Sequence, residues 1–127
     1  MISDVAIVAN GGANIASLRF ALDRLGASSE LTSDPEILRR ARRVILPGVG
    51  AAGDAMGRLR ALQLVDVIPT LTQPVLGICL GMQLLFEASD EDDTACLGLI
   101  PARVTRFEIH DGTRAGGKVK VRSAGRG

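Results

Sequence analysis

The chain of 127 residues has no tryptophan, no tyrosine and only three phenylalanines. That scarcity of rings excludes the stacking platforms that hold single-stranded nucleic acid. An excess of either charge is missing too: 15 Lys and Arg are interspersed with 14 Asp and Glu, for a net charge of +1. Without a basic face there is no electrostatic footprint for DNA, RNA or an anionic membrane. No apolar run approaches the roughly 20 residues that a membrane-spanning helix needs. Cysteine is scarce, Cys79 and Cys96 being the only two, too few for a disulfide framework and suited to a reducing compartment. Met1-Ile2-Ser3-Asp4 sets no basic residue ahead of the first apolar stretch, unlike a secretory signal. These absences lead to the expectation of a soluble, cytoplasmic protein with no nucleic-acid or membrane partner.

What is abundant is small and aliphatic. Hydrophobic residues make up 46% of the sequence, enough for one modest domain with a real core. Residues 5–9 form a short apolar run closed by Asn10-Gly11-Gly12, the pattern of a strand buried on both faces. Asn14 can cap the next segment, where Ile15, Leu18, Leu22 and Leu25 recur at helical spacing and Gly26 supplies a stop. A second short strand is expected at residues 29–32, then a helix opened by Asp34-Pro35. A third strand, Val44-Ile45-Leu46, is expected to end at Pro47-Gly48. Met56, Leu59, Leu62 and Val65 through Ile68 suggest helical segments, and residues 74–78 make a fourth strand running straight into a helix over 80–87. Strands alternating with helices at these intervals imply an open, mostly parallel sheet flanked by helices, an α/β fold. Residues 90–93 read as a solvated acidic loop, and 97–100 and 104–109 as further strands.

The segment with chemistry is Gly77-Ile78-Cys79-Leu80-Gly81. It has the glycine–x–nucleophile–x–glycine form of a strand-to-helix elbow, with cysteine where hydrolases carry serine. The tight turn forces its central residue into a strained backbone, and the glycines remove side chains that would collide with neighbouring elements. Cys79 then sits at the carboxyl edge of the sheet, at a helix start whose free amides favour thiolate and can face an oxyanion, the Leu80 amide first. The alternative is an inert cysteine buried in an apolar strand. Pro47-Gly48-Val49-Gly50 follows the third strand, and loops at the carboxyl ends of neighbouring strands converge on one crevice. Its backbone amides can supply a second oxyanion donor; otherwise it is an ordinary Pro-Gly turn.

Taken with its neighbours, Gly77-Ile78-Cys79-Leu80-Gly81-Met82-Gln83-Leu84-Leu85-Phe86-Glu87 resembles the nucleophile segment of class I, triad-type glutamine amidotransferases. Within that family the spelling is most similar to the glutaminase subunits of imidazole glycerol phosphate synthases. Ile45-Leu46-Pro47-Gly48-Val49-Gly50-Ala51 and Leu97-Gly98-Leu99-Ile100-Pro101 resemble further segments of the same branch. The resemblance implies a flavodoxin-like fold and a glutaminase of histidine biosynthesis that needs no cofactor and no metal. Cys79 would be the nucleophile; Gly48, Val49, Gly50 and Leu80 would form the oxyanion hole; Gln83 and Glu91 would bind glutamine. Ammonia would pass to a (β/α)8-barrel cyclase subunit in a heterodimer, with Asn14 near that partner. Gln83 could equally be a solvated helix position, and Asn14 a helix cap.

The sequence departs from the family after residue 109. The family's general base lies in a His-Pro-Glu segment, whereas the one histidine here, His110, is followed by Asp111-Gly112 and reads as a loop residue. Residues 1–109 are therefore expected to be the first part of a glutamine amidotransferase domain. Residues 110–127 would be a Gly- and Arg-rich tail with little to bury, the mark of a shortened or frameshifted member. Lacking the base, such a chain is expected to be inactive alone, since general acid–base assistance is worth about 10²- to 10⁴-fold. A non-catalytic fragment that binds the partner, and a cysteine hydrolase of related fold, stand as the competing readings.

Overall fold

Four strands and three helices set up the edge on which Cys79 stands. The computed structural model describes residues 3–11, 14–106 and 119–123, the last as backbone alone. Strand β1 (Val5–Val8) is buried along its whole length. Its side chains divide by the period of two: Ala6 and Val8 enter one apolar cluster, Val5 and Ile7 another on the opposite face. A four-residue apolar run is therefore a strand covered from both sides.

Helix α1 (Ile15–Arg24) starts at Asn14, whose Oδ1 accepts from the Ser17 amide at 3.3 Å. It ends at Leu25 and Gly26, the latter at φ +73°. Ile15, Leu18 and Leu22 pack on Val5, Ile7 and Ile45. Strand β2 (Ser29–Thr32) follows, and helix α2 (Pro35–Arg40) is capped by Asp34, whose Oδ1 accepts from the Glu36 amide at 2.9 Å. Strand β3 (Arg43–Gly48), helix α3 (Ala52–Ala61), a 3-10 turn at Ile68–Thr70 and strand β4 (Val75–Cys79) complete the frame.

The sheet is parallel throughout, in the order β2-β1-β3-β4. Right-handed crossovers place α1, which leads leftward to β2, on one face and α2 and α3, which lead rightward, on the other. The packing agrees. Leu38 of α2 and Met56 and Leu59 of α3 are fully buried with Val44 and Leu46 of β3, each such side chain contributing about 1.5–3 kcal/mol. No residue of α1 is fully buried.

The structure differs from the sequence reading in several places. Residues 97–99, expected as strand, precede a strand that begins only at Ile100, and helix α3 stops at Ala61, leaving a turn and a 3-10 turn over residues 65–70. The third strand does not end at Pro47-Gly48 but runs through both, opposite Ile78 and Cys79. Proline is tolerated there because β1 pairs with β3 only as far as Ile45, so one side of the strand is already free of the ladder. The helix after the elbow, α4 (Leu80–Gln83), is a single turn and does not reach residue 87. The carbonyls of Leu84, Leu85, Phe86 and Glu87 are taken instead by the amides of Leu97, Ile100, Gly98 and Cys96, at 2.8–2.9 Å. Those long-range bonds favour strand β5 (Phe86–Ser89) over local helix, in a second sheet ordered β6-β5-β7-β8. Here β6 is Thr94–Ala95, β7 is Ile100–Arg106 and β8 is Val119–Ser123. Finally, β8 pairs antiparallel with β7 from Ala102↔Ser123 to Arg106↔Val119, within a segment expected to have no structure. Its Val119-Lys120-Val121-Arg122 alternation is a strand period. His110 lies outside the described residues.

Candidate active site

Cys79 is the last residue of β4 and the N-cap of α4, with φ 55° and ψ −125°. A non-glycine residue there costs on the order of 1–3 kcal/mol and persists only where the surroundings enforce it. The enforcement comes from the flanking glycines. A Cβ at Gly77 would stand 2.5 Å from the Met82 Cα and 2.7 Å from its nitrogen, and one at Gly81 would run into the Leu46 carbonyl. The elbow is thus pressed against the end of β3 with no side chain between, and the reversal exposes the Cys79 thiol. Cys79 is thus exposed and not buried in the strand. Leu80, the first residue of α4, is buried, and its amide is among those that a helix start leaves without an intrahelical acceptor.

Gly48 pairs in register with Cys79 and is buried, while Val49 is exposed and Gly50 takes φ +91°. The chain therefore leaves β3 at Gly48, in register with Cys79, and turns through Val49 and Gly50. Gln83 is half-buried at the end of α4, one turn beyond Cys79. Asn14 is exposed at the start of α1, on the same carboxyl edge of the sheet.

Glu91 occupies a position that the sequence did not reveal. Its Oε1 accepts from the Ala52 amide at 2.6 Å, at the start of α3. A carboxylate there meets both an unfilled amide and the positive end of a ten-residue helix. The acidic stretch is thus tied down rather than merely solvated: Asp90 and Asp93 both accept from Arg103, at 2.6 and 2.9 Å. The hydrogen bond from Arg103 to Asp90, then the one to Asp93, hold the guanidinium above its ordinary range. Cys96, half-buried, has its thiol pushed up by burial, against the opposing charges of Arg103 and Arg60.

Asn10 was overlooked because an asparagine between an apolar strand and two glycines reads as a turn residue. It is in fact 2% exposed, and its Nδ2 donates to the Pro47 carbonyl at 2.9 Å. Its own carbonyl accepts from Arg58 Nε at 2.5 Å. Asn10 therefore links the end of β1 to the root of the loop 47–50, and α3 is fastened to both. Among the described residues, no three His, Cys, Asp or Glu side chains are grouped to hold a metal ion.

This geometry can be set against known proteins. The sequence profile of the family described as Glutamine amidotransferase class-I matches residues 6–125. The chain belongs to the class I glutamine amidotransferases. Among curated members, the imidazole glycerol phosphate synthase subunit HisH of Xanthomonas axonopodis pv. citri is 57% identical over 102 residues, covering 80% of this chain and 51% of that protein. The subunit of the same name from Xylella fastidiosa strain Temecula1 is 52% identical over 105 residues, covering 83% of this chain and 52% of that one. The chain spans about half the length of the curated relatives it matches. A crystal structure of a glutamine amidotransferase superposes with a TM-score of 0.68 at 23% identity, over 81% of this chain and 56% of that one. That likeness shows the glutamine amidotransferase fold, in agreement with the parallel sheet and flanking helices described above.

Proposed function

We propose that the chain carries the nucleophilic half of a glutaminase site. Cys79 Sγ attacks the side-chain carboxamide carbon of glutamine, and the carbonyl oxygen becomes an oxyanion beside the Leu80 amide and the backbone of Gly48, Val49 and Gly50. Collapse of the tetrahedral species breaks the C–N bond; the nitrogen takes a proton and leaves as ammonia, and a glutamyl thioester remains. Water cleaves the thioester to glutamate and restores the thiol. Gln83 and Glu91 hold the glutamine, Glu91 from its station at the start of α3. The observation that carries this reading is the exposed, positive-φ Cys79 paired in register with Gly48 at the root of the loop 47–50.

The relatives' names support the finer reading. As a subunit of imidazole glycerol phosphate synthase, the protein would act in histidine biosynthesis in the cytoplasm, where two free thiols persist. It would pair as a heterodimer with a (β/α)8-barrel cyclase that consumes the ammonia, Asn14 facing that partner. The 127 residues contain no His-Pro-Glu segment, so by themselves they are proposed to turn glutamine over about 10²- to 10⁴-fold more slowly than a site with its general base. The test is glutamate release by the chain, alone and with a cyclase subunit. The proposal expects little or no release by the chain alone; measurable release that Cys79→Ser abolishes would refute the inactivity and keep Cys79 as the nucleophile. Release unaffected by Cys79→Ser would overturn it.

A further inference from the structure

Asn10 is the one buried carboxamide among the described residues, the other buried polar side chains being the hydroxyls of Thr32, Ser89 and Thr94. Its Nδ2 donates to the Pro47 carbonyl, while its Oδ1 is buried with no partner among the described residues. The amide cannot turn over to use its other end, since the Pro47 carbonyl only accepts and would then face a second acceptor. The single polar contact that this side chain makes with the protein is therefore with one atom of the loop 47–50. The fold gains little by it, because the cost of a buried, unpaired acceptor offsets the gain from one hydrogen bond. Polar groups kept on such terms belong to functional sites.

The bond falls where the backbone ladder stops. β1 pairs with β3 only as far as Ile7 opposite Ile45, and the Asn10 backbone amide has turned back to the Val8 carbonyl at 3.0 Å. Proline has no N–H, so its carbonyl is the one polar handle that the Pro47 backbone offers. Asn10 reaches that handle with a side chain and so extends the hold of β1 on β3 beyond the last backbone pair. A trans peptide is planar, and fixing its oxygen fixes the N–H on the opposite side. Here that N–H belongs to Gly48, in register with Cys79, and no peptide bond among the described residues is cis. Immediately beyond it the chain turns through the exposed Val49 and through Gly50.

We propose that Asn10 is a positioning residue for the oxyanion hole: through the Pro47 carbonyl it sets the backbone that the loop 47–50 presents to Cys79. The proposal rests on the glutaminase reading for the purpose of the loop, and on the Asn10–Pro47 bond for how the loop is held. Asn10 acts only through Pro47 and takes no part in the chemistry.

The test compares Asn10→Leu, which keeps the bulk and loses the donor, with Gln73→Leu in the 127-residue chain. Gln73 makes the same kind of contact at the amino edge of the sheet, donating from Nε2 to the Leu38 and Ala41 carbonyls at 2.6 and 3.1 Å. Hydrogen exchange at the Gly48 amide reads how firmly the loop is held. Labelling of Cys79 reads the consequence, as the rate with a diazoketone analogue of glutamine divided by the rate with iodoacetamide. Both reagents alkylate the same thiol, but only the first brings a glutamine-like carbonyl to the oxyanion donors. Asn10→Leu is expected to speed the exchange and to lower the ratio by about tenfold each, the factor that one hydrogen bond carries. Gln73→Leu should lower the melting temperature and leave both readings alone. Asn10→Ala is a second variant without the donor, and circular dichroism checks that each variant is folded. Unchanged exchange at Gly48, an unchanged labelling ratio, or the same changes in Gln73→Leu would overturn the proposal. If labelling of the unmodified chain ignores excess glutamine, it is the glutaminase reading that fails, and Gly48 exchange still decides whether Asn10 holds the loop.

Discussion

Replacing Cys79 by alanine and by glycine separates the strain at the elbow from everything else the residue does. Both variants remove the sulfur, and because the thiol is exposed neither leaves a buried cavity. They differ in the Cβ, which at φ 55° and ψ −125° is what makes the conformation costly. At an ordinary site, glycine in place of alanine destabilises a protein by about 0.4–1 kcal/mol, through the greater freedom of the unfolded chain. At Cys79 the relieved strain, on the order of 1–3 kcal/mol, opposes that loss. Cys79→Gly should therefore be the more stable variant, by about 1.3 kcal/mol at the middle of these ranges and by up to about 2.6 kcal/mol after the entropic loss is subtracted. In thermal denaturation this is a gap of several degrees, at roughly 3–6 °C per kcal/mol for a domain of this size. Urea denaturation checks that the slope is shared, so that the difference belongs to stability and not to the compactness of the unfolded state. Cys79→Ala proving equal to or more stable than Cys79→Gly would refute the argument that the flanking glycines hold Cys79 in a strained turn.

Other substitutions probe the same architecture. Gly81→Ala sends a methyl group into the Leu46 carbonyl, and the loss of stability should reach or exceed the roughly 3 kcal/mol typical of severe overpacking, read by urea denaturation. Glu91→Ala leaves the Ala52 amide without its carboxylate and should lower stability by about 0.5–2 kcal/mol, the range for lost helix caps; no change would mean that the contact contributes nothing. Iodoacetamide at mildly alkaline pH should label the exposed Cys79 well before Cys96, whose thiol is held up by burial, with peptide mass mapping as the readout. Asp4 is held below the usual carboxylate range by hydrogen bonds from the Ser28 backbone and side chain, against a small opposing effect of burial. A depressed folded value means that its contribution is present above the unfolded value and is lost as pH falls through the folded one. Asp4→Asn should accordingly flatten part of the fall in Tm between about pH 5 and pH 2.

The parallel frame was legible because its signals were local and repeated. Residues 5–9, 44–46 and 74–78 are apolar runs closed by glycine or proline, and each became a strand of the first sheet. The caps Asn14 and Asp34 act where their spacing put them. The elbow was equally plain from its glycine–x–cysteine–x–glycine pattern, although the contact that requires Gly81, with the Leu46 carbonyl, comes from the neighbouring strand. What stayed hidden depended on distant partners. Nothing in Leu84-Leu85-Phe86-Glu87 announces that the amides of residues 96–100 will claim its carbonyls and end the helix. The capping of α3 by Glu91, 39 residues away, and the link from Asn10 to Pro47, 37 residues away, are likewise properties of the fold. An acidic run and a turn-like asparagine are all that the sequence offers of them.

The account turns on Cys79 being a nucleophile directed at glutamine, and a covalent label reads this most directly. The chain is incubated with a diazoketone analogue of glutamine, which alkylates a thiol in place of forming the thioester, and its intact mass is followed over time. The account predicts one adduct, mapped to Cys79 and not Cys96, slowed by excess glutamine but not by glutamate's shorter homologue aspartate, and absent from Cys79→Ser. Labelling that ignores glutamine, or that falls equally on Cys96, would contradict it.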